Sequence, residues 1–179
     1  LDGEDTASHS TYRPVAVYAS DVNGDGITEL PRAVLMAGYK DTSSSDAVYM
    51  LDWYAYGISK VPTKVATTYQ NISDAWSLLI DQKWHDRITA IKANDGGLSY
   101  VEFFEYRKDK MSIPLFNIYC ATGSNREYYA ERTDLIQLGQ TTQAIYFAKL
   151  TNEGEQSELA LTGDEIKARF SLVNQAWNN

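Results

Sequence analysis

The sequence predicts an α+β fold, in which a mostly antiparallel, twisted β-sheet of seven to nine strands carries a C-terminal amphipathic helix packed on it. Three observations support this prediction. Runs of β-branched and aromatic residues recur along the 179-residue chain, which contains 13 Tyr and is 12% aromatic. The segments between these runs are short, which favours antiparallel neighbours. The apolar period changes from that of a strand to that of a helix only near the C-terminus.

The domain organisation follows from composition. Residues 1–13 are polar and acidic, which is typical of a flexible lead-in or linker. We expect residues 14–179 to form a single domain with an Asp-rich loop at 21–29. The chain starts with Leu rather than Met, so we expect a further segment to precede it.

The first predicted strands flank the Asp-rich loop, at 14–20 (PVAVYAS) and 33–39 (AVLMAGY). The run at 47–57 (AVYMLDWYAYG) is apolar on both faces, which predicts a central strand covered on two sides. Its predicted neighbour is the run at 64–70 (KVATTYQ), which follows a turn around Ser59 to Pro62.

Six more runs predict the remaining strands. The segment NDGG (94–97) separates two of them and is the strongest hairpin signal, since Asn, Asp and Gly accept the positive φ of tight turns. The six runs are DAWSLLI (74–80), DRITAIKA (86–93), LSYVEFFEYR (98–107), PLFNIYCA (114–121), DLIQLG (134–139) and QAIYFAKL (143–150).

The C-terminal run LTGDEIKARFSLVNQAW (161–177) has the period of a helix. Its apolar stripe contains Ile166, Phe170, Val173 and Trp177, at steps of about four, three and four residues. The pattern Thr-x-x-Glu at its start predicts a capping box. We expect the stripe to cover one face of the sheet.

Charge and composition narrow the functional classes. The net charge is −8, from 24 acidic and 16 basic residues, which argues against a nucleic-acid partner. No apolar run approaches the ~20 residues that span a bilayer, so we expect no membrane insertion by this segment. Cys120 lies in an apolar run, so we expect it to be a small buried side chain. We expect His85 to lie in a loop beside surface carboxylates. We identify no catalytic residues, and a hydrolase is the least favoured class.

The stretch DVNGDGITE (21–29) carries the one chemical hypothesis. Asp21, Asn23 and Asp25 alternate, so their side chains can turn towards one point, and Gly26 permits a sharp bend. Oxygen donors of this number and flexibility favour Ca²⁺ over Mg²⁺. The alternative is a plain β-turn, since Asp and Asn side chains also bond turn backbones without a metal. Both interpretations stay open at the level of sequence.

The loop departs from an EF-hand, because Arg32 stands at the twelfth position and the flanks predict strands. The remaining pattern, D-x-N-x-D-G-x-x-E, resembles the calcium loop of FG-GAP/VCBS repeats. That resemblance implies side-chain ligation by four residues and carbonyl ligation by a fifth: Asp21, Asn23, Asp25, Glu29 and, through its carbonyl, Ile27.

A wider resemblance covers residues 15–179. The stretches VYASDVNGDGITELP, MLDWYAY, FNIYCATGSNRE and FSLVNQAW resemble uncharacterised secreted or lipid-anchored VCBS/FG-GAP-repeat proteins of Clostridia-type bacteria. The stretch WSLLIDQKWHDRITA resembles the opening of PsbP-like domains. The first resemblance implies an extracellular or cell-surface location, with a lipid anchor on a segment that precedes Leu1, and no established activity.

The sequence therefore predicts a non-enzymatic extracellular domain with a calcium-stabilised loop, which binds a protein or another ligand at the cell surface. The alternative is a carbohydrate-binding module whose exposed aromatic rings stack on sugars, and core packing of the same rings is the competing interpretation. The aromatic residues considered for that role are Trp53, Tyr54, Tyr56, Trp76 and Trp84.

Overall fold

The computed structural model describes residues 14–39, 47–57, 61–95, 98–108, 110–124 and 126–173. The lead-in at 1–13, most of the turn around Ser59 and the end of the expected helical stripe at Trp177 lie outside this part of the chain.

The described residues form ten β-strands, and every pairing between them is antiparallel. The antiparallel prediction is confirmed. The strands are β1 Leu30–Leu35, β2 Tyr49–Tyr56, β3 Pro62–Asn71, β4 Trp76–Leu79, β5 Ile88–Asp95, β6 Leu98–Glu105, β7 Ile113–Thr122, β8 Ile136–Gln140, β9 Ala144–Leu150 and β10 Phe170–Leu172. Two short α-helices, α1 Arg126–Ala130 and α2 Gly163–Arg169, and two 3-10 turns, Gln82–Trp84 and Gly154–Gln156, complete the described elements.

The strands form two sheets, whereas the sequence predicts one. The first sheet has the order β1-β2-β3-β4-β10, and the second has the order β5-β6-β7-β9-β8. The chain changes sheet between β4 and β5, where the 3-10 turn Gln82–Trp84 interrupts the pairing. An apolar pattern shows which faces are covered but not which element covers them, so it could not distinguish one sheet from two.

The inner faces of the two sheets share one core. Tyr69 of the first sheet meets Phe103 of the second edge-on, with ring centroids 5.3 Å apart. Phe170 of the first sheet meets Tyr146 of the second at 5.5 Å. These two ring contacts connect the sheets. Aromatic pairs of this geometry stabilise the core beyond the burial of apolar area alone.

Strand β2 fulfils its prediction. It lies between β1 and β3, and Met50 on one face and Leu51 and Trp53 on the other are buried. Asp52 is also buried, and its carboxylate accepts a 2.6 Å hydrogen bond from Thr67 Oγ1. The predicted pairing with the 64–70 run is confirmed as well.

The β5–β6 hairpin has the tight register predicted from NDGG, since Asp95 pairs with Leu98. The two glycines between them lie outside the described residues. Among the described residues, no helix has the length and apolar character needed to cross a bilayer.

The expected strand at 14–20 does not form. The N–H of Val17 donates to the carbonyl of Val15 at 2.9 Å, which closes a three-residue turn, and only Ser20 makes a β-bridge, to Glu29. Alternating branched residues form a strand only where the edge of a sheet is available for backbone pairing. This segment turns away before it could pair along such an edge.

The expected C-terminal helix is shorter than its apolar stripe. Thr162 and Glu165 form the predicted capping box, and Ile166 is fully buried in the shared core. The helix ends at Arg169, however, and Phe170 begins β10, which pairs with β4. The free backbone edge of β4 supplies the partner, so tertiary pairing overrides the helical period beyond Arg169.

Candidate metal site

The base of the Asp-rich loop is fixed by backbone pairing. Ser20 N–H donates to the carbonyl of Glu29 at 3.1 Å, and Glu29 N–H donates to the carbonyl of Ser20 at 3.0 Å. Glu29 is followed directly by Leu30, the first residue of β1. The bridge therefore closes the loop at its base, and the C-terminal end of the loop leads directly into the first sheet.

Asp21 organises the interior of the loop. Its Oδ1 accepts hydrogen bonds from the N–H of Gly24 at 2.7 Å and of Asp25 at 3.1 Å, and its Oδ2 accepts one from the N–H of Gly26 at 2.8 Å. The bond from Gly26 is the main cause that lowers the pKa of Asp21, so the carboxylate is ionised at neutral pH. Gly24 and Gly26 have φ of +78° and +85°, a conformation that favours glycine.

Asn23 and Asp25 complete a network of turn hydrogen bonds. Asn23 Oδ1 accepts from Asp25 N–H at 3.0 Å, and Asn23 Nδ2 donates to Asp25 Oδ2 at 2.9 Å. Asp25 Oδ1 accepts from Ile27 N–H at 2.8 Å. These are the bonds that the β-turn interpretation requires, so the loop has a defined shape without a bound ion.

Glu29 is the one loop carboxylate that the turn does not explain. It is fully buried, and its Oε2 accepts a 2.9 Å hydrogen bond from the N–H of Val22. Its Oε1 is also buried and has no hydrogen-bond partner among the described residues. Burying an ionisable oxygen without a partner costs free energy, because the water that it loses is not replaced.

Three carboxylates converge on one point. Asp21, Asp25 and Glu29 each offer one oxygen, and these three oxygens lie within 4.8 Å of one another. The first two side chains are exposed and the third is buried. Carboxylate oxygens are the ligands that hard cations take, so a cluster of this kind could hold a metal ion.

The other two loop residues predicted as ligands have different surroundings. The amide of Asn23 is bonded to Asp25, as described above. Ile27 has a side chain that is 51% exposed and apolar, so its carbonyl is the one group it can offer to an ion. The structure thus brings three of the five predicted ligands together and keeps the other two within the same loop.

The predicted aromatic platform is corrected for its three tryptophans. Trp53, Trp76 and Trp84 are buried, and Trp53 Nε1 and Trp84 Nε1 donate to Thr68 Oγ1 and to the carbonyl of Leu159. Each indole ring buries a large apolar area inside the protein, and most of the indole N–H groups donate to internal acceptors. Buried rings cannot stack on a sugar.

The two tyrosines of that set differ from the tryptophans. Tyr54 is half-buried, and Tyr56 at the end of β2 is 53% exposed. They do not form a platform with the three indoles, which are buried.

The other candidate residues have the surroundings that the sequence predicts. Cys120 is buried, and burial raises the pKa of its thiol to about 11, so it is not a thiolate at neutral pH. His85 Nδ1 lies 3.3 Å from Asp86 Oδ2, and the Asp86 carboxylate is largely exposed.

Comparisons of the chain with protein-family models, with curated proteins and with solved structures find no match. The resemblance of the loop to FG-GAP/VCBS calcium loops and that of 76–90 to PsbP-like domains therefore stay predictions from the residues quoted above.

Proposed function

We propose that residues 21–29 bind Ca²⁺ and that the ion stabilises a non-enzymatic extracellular domain, which binds a protein or another ligand at the cell surface. The observation that carries this proposal is the buried carboxylate of Glu29, one oxygen of which has no partner among the described residues. This carboxylate lies beside those of Asp21 and Asp25.

The chemistry of the cluster favours a divalent cation. When ionised, the three carboxylates place about three negative charges around one point, and a cation of charge two removes most of their mutual repulsion. It also supplies the interaction that the unpartnered oxygen of Glu29 lacks. A neutral ligand or a water molecule would satisfy the oxygen but leave the repulsion in place.

The spacing and the donor type fit Ca²⁺. Ligand oxygens lie about 2.3–2.6 Å from a bound Ca²⁺ ion, so two of them are at most about 5.2 Å apart. The three carboxylate oxygens, within 4.8 Å of one another, satisfy that limit. The loop is shaped by its own turn hydrogen bonds and not by octahedral coordination, and Ca²⁺ accepts irregular coordination that Mg²⁺ does not.

The affinity expected for such a site supports the extracellular location. The loop lacks the bidentate glutamate at its twelfth position, where Arg32 stands, so we expect a Kd of about 10⁻⁴ to 10⁻³ M. Sites of this strength are occupied where Ca²⁺ is abundant, as outside the cell. Because the loop leads directly into β1, an ion there would stiffen the edge of the first sheet.

Isothermal titration calorimetry on chelator-treated protein tests the proposal. We expect saturable heat with Ca²⁺, a weaker response with Mg²⁺, and loss of the signal in Glu29→Gln and Asp25→Asn. Both substitutions keep the shape of the side chain. Glu29→Gln keeps an oxygen for the N–H of Val22, and Asp25→Asn keeps one for the N–H of Ile27 but loses the acceptor for Asn23 Nδ2. Glu127→Gln, which alters an exposed residue of α1, is the matched control and should titrate like the wild type.

Absence of Ca²⁺ heat in the wild-type protein, with a native circular-dichroism spectrum, would refute the metal site and leave the loop as a turn.

The surface-binding part of the proposal has its own test. Fluorescently labelled protein should bind intact Gram-positive cells more strongly in Ca²⁺ than in chelator, and the difference should vanish in Glu29→Gln. Absence of cell binding in both conditions would reject the surface role without touching the metal site.

A further inference from the structure

The second sheet has an apolar surface on the face opposite the shared core. Along β7, Ile118 and Cys120 belong to the shared core, whereas the alternate residues Tyr119 and Ala121 belong to a separate cluster with Phe147 of β9. Successive side chains of a strand point to opposite faces, so this second cluster lies on the outside of the sandwich. Helix α1 covers only part of it.

A cleft of about 330 Å³ opens on this outer face, which we call the outer cleft. Its apolar lining consists of Leu98, Tyr119, Tyr129, Leu135 and Phe147. Phe147 is buried and the other four are half-buried, so their exposed parts face the space of the cleft. The volume lies at the small end of the range for ligand sites and suits one or two sugar rings.

Charged groups of both signs surround this lining. Arg132, Lys149 and Asp95 also line the outer cleft. Arg132 forms a bidentate pair with Asp134, with distances of 2.9 Å from Nε and 2.6 Å from Nη2, and Lys149 Nζ lies 3.3 Å from the same carboxylate. Two positive and two negative charges therefore balance. The cleft offers hydrogen-bond donors and acceptors but no net charge to select an ion.

The ring of Tyr119 is held in place from two sides. Asn117 Nδ2 donates to its hydroxyl oxygen at 2.9 Å, and the ring of Tyr100 packs beside it with a centroid distance of 5.2 Å and a tilt of 34°. The contacts with Asn117 and Tyr100 fix both the hydroxyl and the ring of Tyr119. A fixed aromatic ring reduces the entropy lost on binding.

We propose that the outer cleft binds a neutral carbohydrate of one or two pyranose rings. A pyranose combines an apolar C–H face, which suits the rings of Tyr119 and Tyr129, with hydroxyl groups that both donate and accept hydrogen bonds. Arg132 and Lys149 supply donors at the rim, and Asp95 supplies an acceptor. None of these residues belongs to the aromatic set predicted from the sequence, and the site does not depend on the calcium loop.

Ligand-observed and ¹⁵N-resolved NMR on the whole chain test this inference. The probes are glucose, galactose, N-acetylglucosamine and their β-1,4-linked disaccharides, with benzoate as an aromatic anion for comparison. We expect at least one of the sugars to bind, with amide shifts around Tyr119, Tyr129 and Lys149. Tyr129→Ala should weaken that binding by about three- to tenfold, while Tyr56→Ala, an exposed tyrosine of the first sheet, should not.

The inference would be overturned if no sugar binds at about 10 mM, or if the amide shifts fall on another surface. It would also be overturned if benzoate binds and the sugars do not. If Tyr129→Ala does not fold, Arg132→Gln serves as the second variant, because Arg132 is exposed and removing it leaves the apolar lining intact. Unchanged sugar affinity in a folded Arg132→Gln and a folded Tyr129→Ala would also reject the site.

Discussion

The substitution Glu29→Gln should reverse its effect on stability when Ca²⁺ is added. Gln keeps the size of the side chain and an oxygen for the N–H of Val22, and it removes the buried charge. At 4.8 Å, two unit charges repel by about 0.9 kcal/mol in water and by about 3.5 kcal/mol at an effective dielectric constant of about 20. Because Asp21 and Asp25 are exposed, we take the lower figure for each of the two repulsions that Glu29→Gln removes. The charge-assisted bond from the N–H of Val22 becomes a neutral one, which costs about 1 kcal/mol, so we expect Glu29→Gln to be about 1 kcal/mol more stable in chelator.

Calcium should raise the free energy of unfolding of the wild-type protein but not that of Glu29→Gln. For a Kd of about 10⁻⁴ to 10⁻³ M, about 10 mM free Ca²⁺ raises the free energy of unfolding by about 1.4 to 2.7 kcal/mol. Glu29→Gln lacks a ligand charge and should gain little. The wild-type protein is therefore expected to become the more stable of the two by about 0.4 to 1.7 kcal/mol.

Urea unfolding followed by tryptophan fluorescence measures this reversal, since Trp53, Trp76 and Trp84 are buried and report loss of the core. Each protein is unfolded in chelator and in about 10 mM CaCl₂, with NaCl added to equal ionic strength. Glu127→Gln should follow the wild type in both conditions. An equal effect of Ca²⁺ on wild type and Glu29→Gln would refute the assignment of Glu29 as a ligand.

Three further predictions concern residues outside the loop. Ser157 and two arginines lower the pKa of Glu105 below 4.5, so the stabilising effect of this carboxylate is present above that pH and is lost as the pH falls. The difference in the free energy of unfolding between wild type and Glu105→Gln should therefore shrink between about pH 6 and pH 3. A difference that stays constant over this range would contradict the prediction. Thr162→Ala removes the capping box and should lower the free energy of unfolding by about 1 kcal/mol, whereas Thr162→Ser should restore most of it. Tyr146→Phe removes the 2.7 Å hydrogen bond to the carbonyl of Asp74 and should cost about 1 kcal/mol in the same urea assay, with no change in Ca²⁺ binding.

The strand content of the fold was predictable because alternation and short connections are local properties. Strand β2 shows this, since its two apolar faces correctly predicted cover on both sides. The division into two sheets and the end of α2 at Arg169 were not predictable, because both depend on pairings between distant segments. Phe170 has a spacing that suits a helix, yet its backbone pairs with Leu78, almost a hundred residues earlier.

The loop residues were predictable as a set, but their surroundings were not. The alternation of Asp21, Asn23 and Asp25 indicated convergent oxygens, and the structure brings two of them together with Glu29. Glu29 lies in the bridge to Ser20 at the base of the loop and is fully buried there, which no spacing rule shows. Similarly, the letters W and Y do not state which ring is buried, so the sequence left both sugar stacking and core packing open for the tryptophans, and the structure buries all three.

The placement of β10 has a consequence for how the protein is made. The first sheet is built from the earliest strands of the chain and from the last one, which lies beside β4. A chain that leaves the ribosome or a secretion channel N-terminus first therefore carries an open edge on β4 until residue 172 has emerged. Every strand of the second sheet is available before then. The second sheet can assemble early, and this edge of the first can be sealed only after β10 has emerged, so truncation before Phe170 would expose an edge prone to intermolecular pairing.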